Sequence, residues 1–235
     1  MLVAHMRADA RLVIWNFHHG IACSPAAIGT IARIGAMGAR ARKAPDALAA
    51  AVAGAVLSTV ATAGQMTAVL AVTSISTLRM LSAPLICAGM AAAAYGAVFT
   101  IRALRQKSED EPRPGHAFSL STALGFDLTL SCILVASAAL REWFGETGII
   151  AAAAVAGFVD PHSAAISIAS LVASGKINPA DAVIPILAGF STNTIAKMIF
   201  ARTSGGQPFA VRVMPCLILV ALAAWGGTLV MLGSS

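Results

Sequence analysis

Long apolar blocks constrain the fold of this 235-residue chain more than any other feature of its sequence. The blocks run for about 18 to 25 residues, the length with which an α-helix crosses about 30 Å of hydrocarbon. Hydrophobic residues make up 58% of the chain and charged residues 11%, less than half of the about 25% that is usual in soluble domains. Most blocks are apolar on all sides, which is typical of helices surrounded by lipid or by other helices. The sequence therefore predicts an all-α, polytopic integral membrane helix bundle of roughly seven to eight spans.

One long hydrophilic stretch divides the chain. Residues 104–117 combine mixed charges with two prolines, a composition that predicts a solvent-exposed linker. This linker separates a first membrane half, 20–103, from a second membrane half, 118–235. Residues 1–19 contain only a short apolar patch and are predicted to be an interfacial or poorly ordered N-terminal segment.

Within the first half, three apolar segments are predicted, at about 46–64, 65–82 and 83–100. Residues 40–43 are predicted to form a water-exposed loop before them. In the second half, residues 202–208 are glycine-rich and are predicted to be a loop between the last two spans.

The two halves resemble each other. Residues 54–60 and 157–163 each begin with a small residue in an alanine-rich segment and then become polar, and the following span carries one late basic residue, Arg79 or Lys197. This pattern suggests a two-fold internal repeat with interrupted helices, a layout found in many transporters.

The charge and cysteine patterns exclude several functions. The net charge of +6 arises from basic residues in short loops, where they set topology and meet anionic lipid headgroups, so nucleic acid is not an expected partner. The four cysteines are widely spaced, which argues against zinc and against a disulfide framework. Nucleotide-binding and hydrolase motifs are absent, and we expect neither a metal nor a cofactor.

Asp160, Pro161 and His162 interrupt an apolar segment of the second half. Proline has no backbone donor and disfavours helix at the residue before it, so a helix break is predicted here. A carboxylate and an imidazole at membrane depth are costly, and one interpretation is a site for a proton or a cation. The other is that Asp160 caps the next helix in a short loop at the membrane surface.

A second polar cluster comprises Asn193, Thr194 and Lys197. Asn193 and Lys197 are four residues apart and therefore share one helix face. They are candidates to bind an ion or a solute. Alternatively, Lys197 extends to the membrane interface and Asn193 bonds to another helix.

Ser58 and Thr59, followed by Thr62, are candidates to complete a polar lining. The alternative is that these hydroxyls bond to carbonyls of their own helix, as Ser and Thr commonly do in spans.

Three further charged residues, Arg79, Lys197 and Asp127, are candidate charge partners at this site. Arg79 is predicted to pair with Asp160 or Asp127 across the bundle, because an unpaired charge is costly there, and Lys197 would add positive charge. Alternatively, the side chain of Arg79 extends to the membrane interface. Asp127 is either a functional carboxylate or part of a structural ion pair.

Several of these residues resemble a known family. The run 157–160 followed by 164–167, and then Asn193-Thr194 with Lys197, is similar to the core of a bacterial membrane domain of unknown function (DUF4010) that often follows an MgtC/SapB domain. The turn at 140–145 is similar as well. The likeness extends over about 35–232.

In the first half, Ser58-Thr59 and Arg79 also match the family pattern. This chain departs from the pattern at His162, where the family has a second acidic residue, and at Leu57, where it has serine. None of these 235 residues resembles the MgtC/SapB domain itself. The resemblance implies an integral protein of the bacterial inner membrane and brings no reaction or substrate.

The favoured function is that of a transporter or channel with a polar site between interrupted helices. One alternative is a regulatory or scaffolding module that docks a membrane-protein partner or a second copy of the chain through small-residue faces. The other, less favoured, is an intramembrane enzyme that uses Asp160 and His162 as acid and base. The expected partners are the lipid bilayer and a small ion or solute.

Overall fold

The computed structural model describes residues 29–105, 149–158 and 160–233, and every regular element in these ranges is helical. The predicted N-terminal segment 1–19, residues 106–117 of the predicted linker and Asp127 lie outside the described residues. The helices are α1 (Gly29–Lys43), α2 (Leu48–Thr73), α3 (Ile75–Arg105), α4 (149–157), α5 (Pro161–Ala173) and α6 (Val183–Gly233), with a 3₁₀ turn at Pro45–Ala47 between α1 and α2.

Helices α2 and α3 form an antiparallel hairpin. Gly89 on α3 lies against Ala63 on α2, and Gly96 lies against Val56, so the two chains run in opposite directions. The turn is Ser74, whose backbone is extended at φ −158°. Its hydroxyl accepts the backbone N–H of Thr77 at 3.3 Å, as an N-cap residue does.

The prediction of three apolar segments between 46 and 100 is wrong, because the structure has two longer helices there. Gly64 was placed at a break but lies inside α2. A single glycine costs a helix only about 1 kcal/mol, too little to end one that packs along its whole length. Residues 40–43, predicted as a loop, are the last turn of α1.

Helix α6 consists of two antiparallel arms joined at Gly206, where φ is 69° and the backbone is not helical. Trp225 Nε1 on the second arm donates to Ser191 Oγ on the first arm at 3.0 Å, which requires the chain to reverse. The left-handed backbone favours glycine. The loop predicted at 202–208 is therefore reduced to one residue.

The described helices confirm the all-helical fold class. Three stretches are long and apolar enough to cross a membrane: Pro45–Thr73, Ile75–Ala103 and the 47-residue Val183–Leu229. The last contains the reversal at Gly206, and each of its arms exceeds the about 20 residues that one crossing needs.

The suggested internal repeat is not visible as a repeated helix break. Helix α2 continues unbroken through 54–60, whereas the matching stretch of the second half separates α4 from α5. The repeat stays a prediction.

Small residues bring these helices into backbone contact, as is common between membrane helices. A Cβ atom added to Gly38 on α1 would lie 2.7 Å from the backbone N of Gly205 on α6. A Cβ added to Gly157 on α4 would overlap the carbonyl of Gly189 on α6. The second contact fixes the end of α4, immediately before the helix break, against the first arm of α6.

We expect Gly157→Val to destabilise the fold, because the new side chain has no space against Gly189. Overpacking of this kind costs about 1–3 kcal/mol. Gly64→Val is the matched control, since no atom lies within 4 Å of a Cβ built there. Thermal unfolding of the purified proteins in detergent measures both effects, and equal melting temperatures for the two variants would contradict the packing described.

Candidate functional site

Asp160 caps the N-terminus of α5. Its backbone is extended (φ −147°, ψ 111°), and its carboxylate accepts the backbone N–H groups of His162 at 3.1 Å and of Ser163 at 3.0 Å. Pro161 occupies the first helical position, where its missing N–H is not needed. The Asp-Pro sequence thus ends one helix and starts the next, as predicted.

The same carboxylate orients the ring of His162. Asp160 Oδ1 and His162 Nδ1 are 2.8 Å apart, and both residues are 4% exposed. Because an ionised carboxylate only accepts hydrogen bonds, Nδ1 carries the proton in this pair. His162 Nε2 is buried and has no hydrogen-bond partner among the described residues. In the neutral ring Nε2 is then the acceptor nitrogen, and no described group donates a hydrogen bond to it.

Ser163 completes the cluster by donating its hydroxyl to Asp160 Oδ2 at 2.5 Å. The carboxylate thus accepts two backbone and two side-chain hydrogen bonds from His162 and Ser163. Charge-assisted bonds of this type make a buried carboxylate tolerable. Asp160 is held in one position by groups within three residues of it.

The second cluster lies between α2 and the first arm of α6. Lys197 is 2% exposed, so it does not extend to the surface. Its Nζ donates to Thr62 Oγ1 at 3.0 Å, and the Thr62 hydroxyl in turn donates to the carbonyl of Ser58 at 2.9 Å. Within the described ranges no carboxylate lies within 4 Å of this ammonium group.

Asn193 and Thr194 are also buried on this arm, at 1% and 4% exposure. The Asn193 Nδ2 group has no hydrogen-bond partner in the part of the chain that the structure describes. Thr194 Oγ1 donates to Phe190 O at 2.9 Å, within its own helix. Asn193 therefore presents an unused donor one helical turn from the Lys197 ammonium group.

The hydroxyls of Ser58 and Thr59 are buried and bond to the carbonyl of Ala55 in their own helix, at 2.7 and 3.4 Å. Thr62, one turn further, is the residue of this run whose side chain reaches another helix. Thr62 lies four residues after Ser58 and therefore shares its helix face, which the sequence shows. Nothing in the sequence identifies Lys197 as the partner of Thr62.

The two clusters are not joined directly. Helix α2 packs against both α5 and α6, yet among the described residues the one ion pair is His162–Asp160. Arg79 is exposed on α3 and makes no ion pair within those ranges. The same ranges contain no group of three or more His, Cys, Asp or Glu side chains able to hold a metal ion.

Thr192 gives the interrupted helix a further attachment that the sequence did not indicate. Its hydroxyl donates to Ala154 O of α4 at 2.7 Å. This bond and the Gly157–Gly189 contact fix α4 to the same arm of α6 that carries Asn193 and Lys197.

Comparison with known proteins identifies one family. The model of the family described as "Domain of unknown function (DUF4010)" matches residues 9–205, a range that contains both clusters. No curated protein and no solved structure matches the chain.

We expect Asp160→Ala and Asp160→Asn to separate capping from charge. Alanine removes the cap, at about 0.5–2 kcal/mol, whereas asparagine is about as good an N-cap as aspartate. Asp160→Ala should therefore lower the melting temperature in detergent, and Asp160→Asn should retain most of the stability. Equal losses in both variants would show that the charge on Asp160, and not its capping bonds, stabilises the break.

Proposed function

This chain belongs to the DUF4010 family, and from that premise we propose that it is a multi-pass protein of the bacterial cytoplasmic membrane with a transporter- or channel-like function. The cargo is a small ion or solute that uses a polar site at the interrupted helix α4–α5. One observation carries the proposal: the break holds a buried Asp160–His162 pair whose Nε2 is unpartnered among the described residues.

The outer surface supports a location in the membrane. Large apolar side chains are exposed along α2, α3 and both arms of α6, including Val72, Ile86, Met90, Ile195 and Leu222. Soluble monomers rarely expose apolar patches of this extent. In a bilayer the same side chains contact lipid.

The two helical hairpins account for four of the proposed crossings. Helices α2 and α3 supply two crossings and the arms of α6 supply two more. Two helices replace the three segments predicted between 46 and 100, and the apolar segments predicted at 20–38, 118–140 and 147–173 would add to these four crossings.

The helix break is the feature that favours transport. Backbone that is not helical is tolerated at membrane depth where it is buried in protein or lines a cavity, and ionisable groups there mark ion and proton pathways. Asp160 fixes the tautomer of His162, so the Nε2 lone pair stays available to the cargo. Lys197 and Asn193 add donors on the arm of α6 that packs against α4.

The two rival functions have weaker support. A scaffold requires free small-residue faces. Gly38, Gly157 and Gly227 are already in contact with other helices of this chain, which leaves Gly64 on α2 and Gly226 on α6 as helical glycines with open space. An enzyme requires a nucleophile or a reacting group near His162 Nε2, and no described hydroxyl reaches that atom. Both alternatives therefore rank below transport.

Flux through proteoliposomes tests the proposal. Gradients of H⁺, Na⁺, K⁺ and Cl⁻ are applied in turn, with pyranine inside the vesicles to report proton movement. We expect wild-type flux above that of empty vesicles under at least one gradient, and a loss of at least tenfold in Asp160→Asn, which keeps the cap.

Ser170→Ala is the control, because this exposed α5 hydroxyl bonds only to the Ile166 carbonyl of its own helix. It should retain full flux. Wild-type flux equal to that of empty vesicles under all four gradients, or undiminished flux in Asp160→Asn, would contradict ion translocation at this site.

A further inference from the structure

We infer that the end of the bundle formed by the α1–α2 connection and the Gly206 reversal faces the cytoplasm and lies against anionic phospholipid headgroups. We call it the basic end. The inference rests on the proposed membrane location and adds to it an orientation and a lipid-binding surface.

Contacts between helices place three parts of the chain at this end. Gly38, near the end of α1, touches Gly205 just before the α6 reversal. Arg42 Nη1 donates to the carbonyl of Thr203 at 3.4 Å. Helix α3 arrives at the same level, since the Tyr95 hydroxyl donates to the carbonyl of Arg212 at 2.8 Å and α3 continues for ten more residues toward Arg105.

The opposite end contains the Ser74 turn and the start of α6. The first arm of α6 begins at Val183 and ends beside α1 at Gly205, so its start lies at the far end of the bundle. Lys197 contacts Thr62 partway along α2, which is consistent with this direction. The short loop at 174–182 therefore joins the Ser74 end.

Charge is distributed unequally between the two ends. Within the part of the chain that the structure describes, the basic end carries six exposed basic side chains and one exposed acidic side chain: Arg40, Arg42, Lys43, Arg102, Arg202, Arg212 and Asp46. The opposite end carries, among the described residues, Arg79 and Lys176 with Asp181. Arg212 belongs to the basic end because its Nη1 donates to Pro208 O at 2.8 Å, toward the reversal.

The connections at the basic end are short. The α1–α2 connection is residues 44–47, and the reversal of α6 is the single residue Gly206. Basic residues in short loops beside the membrane set orientation and favour the cytoplasmic side. Anionic lipid of that leaflet attracts each nearby Lys or Arg, so the same charges form a headgroup-binding surface.

Cysteine labelling tests the orientation. In a background with Cys23, Cys87, Cys132 and Cys216 changed to Ala, we introduce Asp46→Cys at the basic end and Ser174→Cys at the opposite end, both exposed positions. An impermeant maleimide should label Ser174→Cys in spheroplasts and Asp46→Cys only in inverted vesicles. The reverse pattern would overturn the orientation. If both variants were recovered in the soluble fraction, the proposed membrane location itself would fail.

Melting temperature tests the lipid surface. Purified protein in neutral detergent receives phosphatidylglycerol, or phosphatidylcholine as the neutral comparison. Phosphatidylglycerol should raise the wild-type melting temperature by several degrees, because a ligand that binds the folded state stabilises it, and salt should weaken the effect.

The variant Arg40→Gln/Arg42→Gln/Lys43→Gln should lose at least half of that shift, and Arg79→Gln/Lys176→Gln should keep it. Equal melting-temperature shifts in the two variants, or equal shifts with the two lipids, would contradict the proposed lipid-binding surface.

Discussion

The carboxylate of Asp160 is the group on which the rest of this structure depends. It accepts four hydrogen bonds from His162 and Ser163, and by doing so it lets an apolar helix stop and restart inside the protein. A helix start leaves backbone N–H groups without partners, and their burial without an acceptor would be costly. The same carboxylate also accepts a hydrogen bond from His162 Nδ1. The helix break and the orientation of the imidazole therefore depend on the same group.

The position of the helix break depends on how α4 is attached to the neighbouring helix α6. The Gly157–Gly189 contact and the Thr192–Ala154 hydrogen bond attach α4 to the first arm of α6. That arm also carries Asn193 and Lys197, and Lys197 reaches across to Thr62 on α2. The first arm of α6 therefore connects the interrupted helix to the buried ammonium group, although no hydrogen bond among the described residues joins the two clusters.

Local sequence rules anticipated the parts of this structure that local chemistry decides. The Asp-Pro pattern predicted the start of α5, and the apolar blocks predicted long helices. The breaks between 46 and 100 were misplaced because glycine and serine only weaken a helix, and Ser74 ends α2 in a hairpin turn whose position depends on how α2 and α3 pack. Lys197 could equally have extended to the interface, and its burial depends on the contact with Thr62 across the bundle, which no local pattern encodes.

Transport at the buried polar groups requires that water can reach them, and labelling of Asn193→Cys tests this requirement most directly. In the background without native cysteines, a small charged methanethiosulfonate reagent is applied to protein in membranes. Ile195→Cys, whose side chain is exposed on the apolar surface, is the lipid-facing control, and Ser174→Cys in the loop is the water-facing control. We expect Asn193→Cys to react more slowly than Ser174→Cys and faster than Ile195→Cys. Reaction of Asn193→Cys no faster than that of Ile195→Cys would show a dry interior and contradict the account.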